Sequence, residues 1–243
     1  MGSGGSKDEA PQTSQEPRNT TSQSQEARDI HYKATETTTE LKLPHAYEDI
    51  VKDADSPVDK SSTEKLYHQL HAGVFLNQKR KKYWVEEKSN SNCFMLFARN
   101  LSITWSDDKR YWHWPYLKET NDVFVDVAEL LNVCWLEVHG KFETVKLSPG
   151  VGYEVIFVIM LKDPGDGWEV PVNIRLVLPD GKKQEHKESF KEKARGQWIE
   201  IPVGQFEMSP DKVGEIEFSL YEYEGGKWKR GLAIKGVAIR PKI

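Results

Sequence analysis

The sequence predicts an all-β protein: an antiparallel β-sandwich of jelly-roll-like form, preceded by a short helical segment and a disordered polar tail. Three observations carry that reading. From about residue 73 onward, apolar residues recur with a period of two. Turn signals separate the apolar runs at Ser148-Pro149-Gly150, Pro164-Gly165-Asp166-Gly167, Pro179-Asp180-Gly181 and Gly225-Gly226. Helix-period patterning is confined to residues 46–72.

Residues 1–45 carry 16 Ser, Thr and Gln and no Phe or Trp. Such a stretch buries too little apolar surface to offset its ordering entropy, and disorder is expected there. In residues 46–72 a first helical piece, AYEDIVKDAD, ends near Ser56-Pro57, because the residue before proline avoids the α region. A second begins at SSTE, where Ser61 and Glu64 form a capping box. Leu66 and Leu70 lie one turn apart, and Gly73 supplies a left-handed stop.

The domain expected over residues 73–243 is made of strands. Val172, Ile174, Leu176 and Leu178 alternate with more polar neighbours, as do Ile216, Phe218 and Leu220, so each run has one wet face. YEVIFVIML (153–161) is apolar on both faces and predicts a central strand. In LAIKGVAIR (232–240) the apolar parity slips at Gly236, which predicts a β-bulge.

Composition removes several function classes. The 243 residues have formal net charge −4, giving no global bias toward nucleic acid. No run of 18 apolar residues exists, so no transmembrane span is expected. The N-terminus lacks the apolar stretch of a signal peptide, and two lone cysteines, Cys93 and Cys134, fit a reducing compartment. There is no Walker loop, no G-x-S-x-G and no H-E-x-x-H, and His68 and His71 have no cysteine nearby to complete a metal site. No cofactor, metal or catalysis is expected.

The chemistry that is present centres on TWSDDKRYWHWPY (104–116). Trp105, Tyr111, Trp112, Trp114 and Tyr116 are interleaved there with Asp107, Asp108, Lys109, Arg110 and His113. Rings beside carboxylates suit a pyranose, which has apolar C–H faces and a rim of hydroxyls. Core packing and base stacking remain open alternatives. Glu222 and Glu224 sit before a Gly-Gly turn, where they could accept sugar hydroxyls or be solvated edge charges. Lys79, Arg80, Lys81 and Lys82 form a basic run, readable as a nuclear-import signal, an RNA contact or a charged loop. Met1-Gly2-Ser3-Gly4-Gly5-Ser6 matches an N-myristoylation pattern at Gly2, without a second anchoring signal.

ARNLSITW (98–105), YWHW (111–114), VCWLEVHGKFET (133–144), GDGWEVPVN (165–173) and SLYEYEGGKWKRGLAIKGVAIRP (219–241) resemble the phloem protein 2 family, the Nictaba-like plant lectins, across residues 73–243. GVFLNQKRKKYWVEEKSNSNCFML (73–96) resembles the stretch preceding that core in longer, cucurbit-type phloem lectins. The resemblance implies a β-sandwich that binds N-acetylglucosamine oligomers, such as chitin oligosaccharides and the N-glycan core of glycoproteins. It implies sieve-element or companion-cell cytoplasm, or nucleus, as its place. It also implies that Trp105 and Trp112 hold the sugar, with Trp114, Glu222 and Glu224 as weaker members of the site. RNA carriage through Lys79–Lys82 with Lys109 and Arg110, and assembly with phloem filament proteins, are the rival expectations; a homodimer through a free sheet edge belongs with the lectin reading. No F-box-like leucine-rich segment is present, so a ubiquitin-ligase adaptor is not expected.

Overall fold

The computed structural model describes Met1 and residues 42–242. The disorder expected in the tail falls almost wholly on residues outside the described ones, as does the N-myristoylation pattern at Gly2.

Helix α1 (Tyr47–Ile50) runs into a 3-10 turn at Val51–Asp53, and helix α2 spans Thr63–Ala72. The cap of α2 lies one residue later than the sequence suggests. Ser62, not Ser61, accepts from the Lys65 amide at 3.2 Å, while the Ser61 hydroxyl accepts from the Lys65 ammonium. Gly73 ends the helix at φ +95°, where a side chain would be strained. Tyr47, Ile50, Val51, Leu66 and Leu70 join the main core. Buried Asn92 ties this region down further. Its side-chain amide donates to the carbonyls of His45 (2.6 Å) and Lys146 (2.8 Å) and accepts from the Tyr83 hydroxyl (2.9 Å).

Two antiparallel sheets form the sandwich. The eight-stranded sheet runs β1 (Val74–Leu76), β2 (Lys81–Glu86), β3 (Ser91–Phe97), β15 (Leu232–Pro241), β10 (Gly152–Leu161), β13 (Trp198–Glu207). Beside this path β8 (Ala128–Leu130) pairs with β15, and β5 (Trp112–His113) pairs with β8. The five-stranded sheet runs β12 (Lys183–Glu188), β11 (Val172–Val177), β14 (Glu215–Glu222), β9 (Leu136–Glu143), β4 (Ser102–Ile103). A separate hairpin joins β6 (Tyr116–Lys118) to β7 (Phe124–Asp126). From β8 onward the chain changes sheet between β8 and β9, β9 and β10, β10 and β11, β12 and β13, β13 and β14, and β14 and β15. That repeated crossing is how a jelly-roll closes on one core.

Strand periodicity decides which side chains are inside. Leu136 and Val138 of β9, Ile174 and Leu176 of β11, and Ile216, Phe218 and Leu220 of β14 point inward toward Val155, Phe157 and Ile159 of β10. The opposite residues of β10, Ile156 and Val158, form a second apolar cluster with Met95, Phe97, Ala238 and Val125 of the hairpin. This is why YEVIFVIML is apolar on both faces. The bulge expected at Gly236 is present: pairing passes from Ile234 to Gly236 and skips Lys235. A Cβ at Gly236 would lie 2.0 Å from the Leu96 carbonyl oxygen, so only glycine fits. Among the described residues, no helix is long and apolar enough to cross a membrane.

Candidate functional site

The outer face of the five-stranded sheet is where polar and aromatic groups converge. Inward alternation of its core residues sends the intervening ones outward. One outward row crosses the strands as Glu137, Tyr221, Asn173 and Lys187; the next crosses as Ser102, His139, Ser219, Arg175 and Glu185.

Glu137 is the polar centre of this face. Its Oε2 accepts from the Trp135 indole N–H at 2.8 Å and the Thr104 hydroxyl at 3.2 Å, and its Oε1 lies 2.9 Å from His139 Nε2. These hydrogen bonds, that of His139 first, hold the Glu137 carboxyl below the usual carboxylate range. Beside it, Trp135 and Tyr223 stack at 4.2 Å and 11°. Tyr221 continues the row, 5.5 Å from Tyr223. The Arg175 guanidinium donates to the Tyr221 hydroxyl at 2.6 Å and closes it. Trp135 is 42% exposed. The face thus offers ring surface beside a carboxylate, an imidazole, an amide and a guanidinium.

Trp105 stands at the margin of this face. It follows Thr104, whose amide donates to the Glu137 carbonyl at 3.0 Å. Its ring is 49% exposed and packs on Tyr111, and its backbone is left-handed at φ +59°. Trp112 does not share that role. It is 2% exposed, so it presents no face to a sugar, and the stacking implied for it is corrected. Its indole N–H donates to the Thr104 carbonyl at 3.1 Å, while that of Trp114 donates to the Ser106 carbonyl at 2.9 Å. The two-residue spacing of Trp112 and Trp114 matches that of Thr104 and Ser106. Together they clamp the backbone on both sides of Trp105. Trp114 is half-buried, and the Arg99 guanidinium covers its ring at 3.6 Å.

The two glutamates also separate. Glu222 has the same strand parity as Ile216, Phe218 and Leu220 and therefore points inward. It is 1% exposed and ion-paired with Lys229, so it accepts no ligand hydroxyl, and that expectation is corrected. Glu224 lies beyond the strand end and is exposed, apart from Glu222.

The basic run is likewise divided. Lys79 and Arg80 are exposed at a turn where Asn77, Gln78 and Lys79 are all left-handed; the Asp55 carboxylate holds it by accepting from the amides of Gln78 and Lys79. Lys81 and Lys82 belong to β2 and point to opposite faces. Lys81 has its pKa lowered by burial and by Lys146, while the Lys82 ammonium lies over the Phe75 ring. Arg110 is held by Asp108, and Lys109 is exposed.

Trp135, Glu137, His139, Arg175, Tyr221 and Tyr223 were not singled out by sequence reasoning. One signal for the tyrosines was available: Tyr221 and Tyr223 have the outward parity of β14.

The profile of the family described as Phloem protein 2 matches residues 91–241. PHLOEM PROTEIN 2-LIKE A1 of Arabidopsis thaliana is 53% identical over 205 residues, covering 83% of this chain and 82% of that protein. A lectin of Luffa acutangula is 46% identical over 205 residues, covering 84% of this chain and 97% of that protein. Among solved structures, the CBM22-1 xylan-binding domain of Paenibacillus barcinonensis Xyn10C covers 60% of this chain and 87% of its own, at 9% identity and TM-score 0.34. The family match includes the β4–β5 tryptophans, the β9 face and the β14 face, and with the identity to these two plant proteins it establishes that the chain belongs to the phloem protein 2 family.

Proposed function

We propose that the protein is a non-catalytic lectin of a phloem setting and that the outer face of its five-stranded sheet binds N-acetylglucosamine oligomers. The observation that carries this reading is the stack of exposed Trp135 on half-buried Tyr223 beside Glu137. A pyranose laid on the indole covers its apolar C–H face. Glu137 already accepts from two groups and faces a third, against about four lone-pair sites on a carboxylate, so one site is open to a sugar hydroxyl. Trp105 extends the aromatic surface, and Trp112 and Trp114 set its position. The Luffa relative, named a lectin, supports the carbohydrate class.

The magnitude is modest. With Trp135 42% exposed and an indole side chain of up to about 250 Å², about 100 Å² is open, worth at most ~2.5 kcal/mol at ~25 cal/mol/Å². Each ring added to the ligand covers more of the row, so oligomers bind better than the monosaccharide. The test is calorimetric titration of chitotriose into wild type and Trp135→Ala at low and high salt. Salt-insensitive binding, lost in the folded variant, is expected. Full binding by Trp135→Ala removes this face as the site.

RNA binding is a second reading, favoured by one cleft. Lys79, Arg80 and Arg99 line it together with exposed Tyr116 and Phe124, a set of cations facing rings. RNA affinity falls steeply with ionic strength, whereas neutral oligosaccharide affinity does not. The same two salt conditions therefore separate the readings.

A further inference from the structure

We infer that the buried Glu222–Lys229 ion pair is the positioning element of the aromatic face, fixing the two loops that carry Trp135, Tyr223 and Trp228. The inference rests on the reading of that face as a sugar site. The two side chains are 2% and 0% exposed. The Lys229 ammonium faces Glu222 Oε2 and donates to the carbonyls of Cys134 and Lys227, each at 2.9 Å. The ammonium thus makes two hydrogen bonds to backbone and one charge contact with a carboxylate oxygen that has no hydrogen-bond partner. Glu222 Oε1 accepts from the Gly225 amide at 2.7 Å.

The placement of these contacts gives them meaning. Cys134 precedes Trp135, Lys227 precedes Trp228, and Gly225 lies two residues after Tyr223. The pair therefore holds the backbone close to each of these three rings. Backbone hydrogen bonds between Val133 and Lys229, at 2.7 and 3.0 Å, join the same two loops from the other side. A Cβ at Gly225 would lie 2.8 Å from Val170 Cγ2 and 3.0 Å from Glu222 Oε1, so the turn closes tightly on the carboxylate.

Stability alone does not account for the pair. Removing two charges from water is expensive, and apolar residues of similar volume serve a core as well or better. Methyl groups, however, hold no carbonyl and no amide. What two apolar side chains cannot supply is the fixed spacing between the Trp135 and Tyr223 rings.

The experiment uses the full chain with Glu222→Leu/Lys229→Met, which leaves no lone buried charge. Chitotriose affinity, near-UV circular dichroism and the unfolding midpoint are measured, with Trp135→Ala as the reference. Positioning predicts a folded double variant with a near-wild-type midpoint, at least about tenfold weaker chitotriose binding, and a changed aromatic dichroism band. Wild-type affinity in the double variant, with binding lost in Trp135→Ala, overturns the positioning role alone. Wild-type affinity in Trp135→Ala instead shows that the sugar-face reading has failed. If the double variant does not fold, amide exchange in wild type decides. Protection of the Gly225 amide comparable to β14 supports the role, and exchange at the rate of an open loop overturns it.

Discussion

Trp105 offers a test in which the sign of an effect carries the argument. Its φ of +59° costs an L-residue about 1–2 kcal/mol relative to right-handed backbone. Its ring is 49% exposed, so replacement removes roughly 125 Å² of packing against Tyr111 and neighbours, an upper limit of ~3 kcal/mol. Both Trp105→Ala and Trp105→Gly forfeit that packing, so their difference isolates the backbone. At an ordinary position glycine is about 0.5–1 kcal/mol less stable than alanine. At residue 105 glycine is relieved of the left-handed penalty, and the order reverses: Trp105→Gly is expected to be more stable by about 0.5–1 kcal/mol. Urea unfolding of both variants, fitted with a common slope, resolves a difference of that size. Chitotriose titration should show about tenfold weaker binding in each, since a sugar covering half of the exposed ring gains ~1.5 kcal/mol. An alanine variant as stable as the glycine variant would refute the left-handed backbone. Unchanged binding in both would refute the placement of Trp105 in the site.

Three further outcomes follow from the same geometry. Trp112→Ala removes a ring that is 2% exposed and should cost about 3–5 kcal/mol of stability, whereas Trp112→Phe loses chiefly the bond to Thr104, about 1–3 kcal/mol; wild-type unfolding midpoints would contradict the clamp. The folded-state pKa of Glu137 lies below its unfolded value of about 4.3, so its stabilising contribution is complete above that pH and is lost as pH falls through the folded value. Glu137→Gln should flatten that part of the acid limb in pH-dependent unfolding, and an unchanged limb counts against the network. Burial pushes the Cys93 thiol up to about 12, so a disulfide-exchange reagent at pH 8 should leave Cys93 unmodified until the protein unfolds; its rapid labelling in native protein would contradict the packing of β3.

The sandwich was legible because strand alternation is local information. Ile216, Phe218 and Leu220, the doubly apolar YEVIFVIML and the parity slip at Gly236 each specify a face without knowledge of the partner strand. The site was less legible because aromatic density does not tell a ring that faces solvent from one that faces inward. Trp105, Trp112 and Trp114 sit in one polar run, yet only Trp105 presents an open face. Glu222 was misread although its parity with Leu220 placed it inward; proximity to a Gly-Gly turn outweighed the alternation. Glu137 and His139 were missed for another reason: Thr104 reaches Glu137 from β4 and Tyr223 reaches Trp135 from the end of β14, and that convergence exists only after β4, β9 and β14 pair.

The bonding of four indole N–H groups sorts their tryptophans by role. Trp112, Trp114 and Trp168 donate to the backbone carbonyls of Thr104, Ser106 and Arg230, and each thereby holds a loop against the sandwich. None of the three is a freely exposed ring; Trp112 and Trp168 are each 2% exposed. Trp135 donates instead to a side chain, the Glu137 carboxylate, on the outer face. That carboxylate has capacity left for a ligand hydroxyl at Oε1, so a sugar bound there meets the same carboxylate whose Oε2 orients the indole. Ring orientation and hydroxyl recognition are then one coupled arrangement. Removing the carboxylate should weaken binding twice over, through the lost hydroxyl contact and through a Trp135 ring no longer held to face the ligand.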